Sequence, residues 1–136
     1  MGQQQLLLIV LGVIIVGIAV VVGINVFTAS ASQSNRDAVI ADLTNIASMA
    51  QQHFRKPAAL GGGGGAFDAT KGGTAWTVPA TLVRTPNMSA DVAATVTATS
   101  VTLVGVGTEN GNDGATKVKV TMIVGADAIT STTINN

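Results

Sequence analysis

The chain has 136 residues, with seven Lys plus Arg against seven Asp plus Glu, so its formal net charge is zero. That balance, without a basic stripe interleaved with aromatics, excludes nucleic acid as an electrostatic partner. Charged residues make up 10% of the sequence, against about 25% in ordinary soluble domains, so Thr, Ser, Asn and Gln carry the solubility. Cysteine is missing altogether, which excludes a disulfide framework, a thiolate metal site and a Cys nucleophile.

The chain opens on Met1-Gly2-Gln3-Gln4-Gln5, whose side-chain amides suit the first turn of a helix, where four backbone N–H groups lack intrahelical partners. Leu6 to Ile24 follows as 19 residues of Leu, Ile, Val, Ala and Gly, and the first charged side chain is Arg36. As a helix this run reaches ~28 Å, close to the hydrocarbon thickness of a bilayer. A helix apolar on every side needs lipid or other protein all round it. Ala29-Ser30-Ala31 fits a small-x-small signal cleavage pattern. Cleavage there is not expected, because no basic segment precedes the run and the run exceeds the usual apolar length of about 7–15. Gly12, Gly17 and Gly23 permit close approach of a neighbouring helix, but their spacing does not match the four-residue small-xxx-small motif.

From Arg36 the periodicity changes. Val39, Leu43, Ile46, Ala50 and Phe54 recur at helical steps, with Asp37, Asp42, Asn45, Gln51 and Gln52 largely off that stripe. This predicts an amphipathic helix with one face to bury. Neither Pro nor Gly interrupts residues 28–35, so a single helix of roughly fifty residues, ~75–80 Å long, is expected. Arg55 and Lys56 suit its C-terminal dipole and Pro57 stops it.

Residues 57–75 read as a loop around the run Gly61–Gly65. The run is no phosphate loop, since no Gly-Lys-Ser/Thr follows it and no strand precedes it. It is a flexible or tightly packed connector, of the kind found where another backbone comes too near for side chains. Beyond it the chain is rich in Thr and Val, and strands are expected at Thr77–Val83, Val92–Val106, Thr116–Val124 and Ala128–Ile134. In the third, Val118, Val120, Met122 and Val124 alternate with Lys117, Lys119 and Thr121, the pattern of a half-buried strand. Glu109 to Gly114 reads as a hairpin turn. The expected organisation is an apolar helix over 1–27, its amphipathic continuation over 28–56, a Gly-rich loop over 57–75 and a β head over 76–136. The fold class is α+β, a long N-terminal helix packed on a small antiparallel sheet.

Residues for chemistry are few. His53 is the only histidine and has no ligand partner at metal-binding spacing. Glu109, Asn110, Asn112 and Asp113 carry oxygens suited to Ca²⁺, but their order departs from the D-x-[DN]-x-[DN]-G pattern, and a plain turn is the better reading. The acidic residues form no catalytic pair. No enzyme, metal or cofactor is expected. Asn87-Met88-Ser89 matches the three-residue glycosylation pattern, so Asn87 is a candidate acceptor whose use depends on the host.

An uncharged apolar helix running into an amphipathic half and then a Thr/Val-rich head resembles the type IV pilins, most specifically over residues 1–54. In that family a dedicated prepilin peptidase removes a leader, assembly machinery draws subunits from the cytoplasmic membrane, and the apolar helices bundle into an extracellular filament. If Met1 is the mature residue, Gln5 falls where the family usually carries a glutamate that pairs with the next subunit's N-terminal amine. An amide hydrogen-bonds a buried amine without neutralising it, and it avoids desolvating a carboxylate. The usual helix Pro and C-terminal disulfide loop are also missing; archaeal adhesion pilins share the Thr/Ser-rich, weakly charged style. The resemblance implies subunit contacts at Met1 and Gln5. It implies core packing by Leu6, Leu7, Leu8, Ile9, Val10, Leu11, Val13, Ile14, Ile15, Val16, Ile18, Val20, Val21 and Val22. The expected function is a filament subunit for surface attachment or motility. The alternatives are a single-span anchored binding domain and a pseudopilin of a secretion system.

Overall fold

A computed structural model describes residues 2–135. The chain divides into two compact units, residues up to Ala31 and residues from Ser32 onward. One helix, α1 (Gly2–Arg55), supplies all of the first unit and opens the second. It ends at Arg55, with Lys56 alone between it and Pro57, because proline has no N–H to offer and its ring bars continuation. In the first unit every described residue through Ser30 is exposed.

In the second unit α1 buries Val39, Leu43, Ile46 and Ala50 of the expected stripe with Ala47 beside them, and half-buries Phe54 against the core. They pack on a four-stranded antiparallel meander of β1 (Ala93–Val96), β2 (Ser100–Asn110), β3 (Lys117–Gly125) and β4 (Ile129–Asn135) in that spatial order. The inner face of the sheet carries Val101 and Leu103 from β2 and Val118, Val120, Met122 and Val124 from β3, all buried. Two glycines set how close the helix comes. A Cβ on Gly105 would lie 3.0 Å from a Val39 methyl carbon, and one on Gly107 would strike the Asn35 amide oxygen. Phe67, Trp76, Met88 and Val92 close the core, with the Phe54 and Phe67 rings 4.8 Å apart at a tilt of 43°. Each such buried aliphatic or aromatic side chain contributes ~1.5–3 kcal/mol.

Two expected strands differ in the structure. Thr77–Val83 is not a strand: Pro79 lacks a ladder donor, and its carbonyl accepts from Leu82 N in a turn at 2.8 Å. Val92–Val106 is two strands, because the chain reverses between Thr97 and Ser100. There Thr97 N donates to Ser100 O at 2.9 Å, and the Thr97 hydroxyl accepts from Ser100 N at 3.1 Å. A threonine side chain that bonds its own backbone offers an alternative to the ladder.

The glycine run is a cap on α1. Gly63 N donates to His53 O at 2.9 Å, Gly64 N to Lys56 O at 3.0 Å and Gly65 N to Phe54 O at 2.9 Å. The His53 and Phe54 carbonyls are among those that a helix terminus leaves without partners, and Lys56 follows directly after it. The connector is thus tightly packed, and a Cβ on Gly73 would lie 2.2 Å from Gly62 O.

Candidate assembly surface

Backbone hydrogen bonding in a helix is internal, so what α1 offers along its first half is side chains alone. Those side chains are aliphatic in every direction. The fourteen positions from Leu6 to Val22 expected to pack are all exposed, from 53% at Leu11 to 70% at Leu7, and Phe27 is 75% exposed. This half of α1 is long and apolar enough to cross a membrane by length and composition. Soluble monomers rarely leave a contiguous apolar surface of this extent, and such surfaces mark protein or membrane contacts. At ~1.5–3 kcal/mol for each large side chain, covering it withdraws on the order of tens of kcal/mol of apolar surface from water.

One hydroxyl beside this surface is satisfied within the helix, while Ser32 Oγ and Arg36 Nε are buried without a hydrogen-bond partner among the described residues. The Thr28 hydroxyl donates back to Ile24 O at 2.9 Å, so it enters an apolar setting already satisfied. Further along, Gln33 donates to Asp37 at 3.1 Å and accepts from Arg36 at 3.2 Å. Gln5 is exposed in the first turns of α1, and Met1 lies outside the described residues. Nothing lies within 4 Å of a Cβ built on Gly12, Gly17 or Gly23, so a neighbouring backbone meets no obstacle there.

The head holds a polar network that the sequence did not suggest. Asp42 accepts from the Thr85 hydroxyl at 2.6 Å and from the Asn87 amide at 3.1 Å, while Asn35 donates to Asn87 O at 2.9 Å and accepts from Glu109 N at 3.2 Å. Asn87, the candidate glycan acceptor, therefore has its side-chain nitrogen engaged by a carboxylate, beside buried Met88. Nothing in the spacing of Asn35, Asp42 and Asn87 signals this; of the three, only Asp42 stood out in the sequence, as a residue off the apolar stripe.

Elsewhere polar groups serve turns. The Asp113 carboxylate accepts from the amides of Ala115 at 3.1 Å and Thr116 at 3.0 Å, which turns oxygens considered for Ca²⁺ toward their own hairpin. The Thr116 hydroxyl, then those amides, hold the Asp113 carboxyl below the ordinary aspartate range. The Thr70 hydroxyl and amide do the same for Asp68. His53 Nε2 pairs with Thr74 O at 2.7 Å. Among the described residues no three His, Cys, Asp or Glu side chains gather as a metal site.

No protein-family model, curated protein or solved structure matches this chain. The reading of the surface rests on its own physics: a charge-free helical half, exposed all round, on a chain whose other half is a packed α+β head.

Proposed function

We propose that this chain is the structural subunit of an extracellular, type IV pilin-like filament, assembled by bundling the apolar halves of α1 among identical copies. The observation that carries the reading is the exposure of every residue from Leu6 to Phe27, on the half of α1 that has no charge. Sibling helices supply the all-round apolar environment that such a segment requires. Before assembly the same segment resides in the cytoplasmic membrane, from which assembly machinery and a prepilin peptidase deliver it. The chain is non-catalytic, and the filament serves attachment or motility.

Negative-stain microscopy of sheared cell-surface material, with the chain identified by mass spectrometry, tests this. Filaments containing the chain are expected. Recovery solely from detergent-extracted membranes would replace the reading by a second one, a single-span anchored binding domain. The span-length apolar helix supports that reading too.

A further inference from the structure

The inner face of the sheet is covered along β3 and left open at β4. Val120 and Val124 are fully buried, whereas their ladder partners Ile134 and Ile129 are 44% and 37% exposed. All seven residues of β4 are exposed. The sheet order leaves its outer edge without a strand, and among the described residues no backbone group of β4 bonds outside its own sheet. Natural edges are defended by charge, proline, bulges or shortness. The sequence ITSTTIN has no charge and no proline. The register shift at Ile123/Val124 falls at the start of β4, leaving Ser131–Asn135 regular. The opposite edge, β1, has only four residues and ends at the Thr97–Ser100 turn.

We propose that β4 is a strand-addition edge whose occupant is β4 of a second copy, antiparallel across a two-fold axis, joining two sheets into one. A strand paired with itself about a two-fold matches donors to acceptors automatically. Charge selects the direction. Asp127 precedes β4 and is paired with Arg55 of its own chain at 3.6 Å. Antiparallel pairing keeps the Asp127 side chains of the two copies at opposite ends of the joined strands, whereas parallel pairing sets these like charges side by side. A contact this short is weak between free monomers and strengthens where copies are held side by side, on a filament or in a membrane. The inference rests on the edge alone and stands apart from helix bundling.

Because the chain has no cysteine, single-cysteine variants report the contact cleanly. Cross-strand Cα separations of about 4.5–5.5 Å suit a disulfide. Full-length Ser131→Cys, Thr132→Cys, Thr133→Cys and Thr95→Cys are reconstituted in lipid vesicles, oxidised and run on non-reducing gels, with Trp76 emission verifying the fold. At least one β4 variant should give a disulfide dimer in at least tenfold higher yield than Thr95→Cys on β1. In the best crosslinker at 131 or 133, adding Thr132→Lys should lower that yield at least fivefold. Equal yields at both edges, no β4 dimer, or indifference to the lysine would overturn the proposal. If filaments form while the β4 dimer is absent, this inference alone fails; a β4 dimer without filaments removes the bundling reading instead.

Discussion

Gly63 N donates to the His53 carbonyl at 2.9 Å, closing the last turn of α1 with a residue that has no room for a side chain. A Cβ on Gly63 would stand 1.8 Å from Ala66 O, a backbone atom that cannot swing aside. Gly63→Ala should therefore cost roughly 2–4 kcal/mol, the range for forced overpacking with lost bonds to a helix end. Gly72→Ala, where the Cβ meets nothing but φ is +76°, should cost about 1–2 kcal/mol from its left-handed backbone alone. Trp76, the single tryptophan and 5% exposed, reports unfolding of the head by its emission. Equal midpoints for the two variants would refute a close-packed cap.

Asp42 ties the segment around Thr85–Asn87 to α1, and its loss would strand two donors. Asp42→Ala should destabilise the head by about 1–3 kcal/mol, the cost of leaving partly buried donors without an acceptor. Asp42→Asn keeps an oxygen and should cost less. Hydrogen exchange is the discriminating measurement: faster exchange in Asp42→Ala should concentrate at residues 84–90 and spare β3. Uniform acceleration across the sheet would mean that Asp42 acts on the whole fold.

The hairpin tip predicts a pH dependence. Hydrogen bonds hold the Asp113 carboxyl below its ordinary value, so the folded state binds its proton less readily than the unfolded chain does. The associated stability is present above the unfolded value of about 3.9 and drains away as pH falls through the lower, folded one. Asp113→Ala should thus lower stability at neutral pH and flatten the acid limb of the stability curve below about pH 4. Midpoints followed by Trp76 emission from pH 7 to pH 2 check it. Parallel curves for wild type and variant would show that this carboxylate contributes nothing in acid.

Much of the architecture was legible because periodicity is a direct imprint of burial. Val39, Leu43, Ile46 and Ala50 announced the buried face of α1, and Val118 to Val124 announced that of β3. Val92–Val106 misled because the Thr97–Ser100 reversal uses Thr97 as its own turn-former, and residues 97–100 lack the Gly, Asn or Pro that usually marks one. Thr77–Val83 was over-read from its Thr and Val content, although Pro79 was there to forbid a ladder. The Gly61–Gly65 cap was half legible: its lack of side chains pointed to close approach, but what approaches is a helix end joined by non-local hydrogen bonds. The apolar half of α1 was the plainest feature, since nineteen uncharged residues have no soluble disguise.

The glycines of the apolar half separate helix stability from helix packing. At Gly17 a Cβ meets nothing within 4 Å, and alanine favours helix over glycine by about 1 kcal/mol. Gly17→Ala should leave the isolated chain equally helical by circular dichroism in detergent. If a neighbouring backbone packs at that position in the filament, the same variant should shorten filaments or lower their yield. Unchanged assembly would place Gly17 away from helix–helix contacts.

If the apolar half is buried among sibling helices, a charge within it is intolerable in a way that a polar amide is not. Leu8 and Val16 are exposed in the single chain, so Leu8→Lys and Val16→Asp leave the head intact, with Trp76 emission unchanged. In a bundle each would bury an unpaired ion, at an effective cost of several kcal/mol per subunit, repeated in every copy, and filaments should vanish. Gln5→Ala removes one amide hydrogen bond, worth about 1 kcal/mol, and should reduce filament number without abolishing assembly. Counting filaments by negative stain at matched surface expression ranks the three. Wild-type filament numbers for Leu8→Lys would mean that this half of α1 stays wet or in lipid headgroups, and the bundled-helix filament would have to be abandoned.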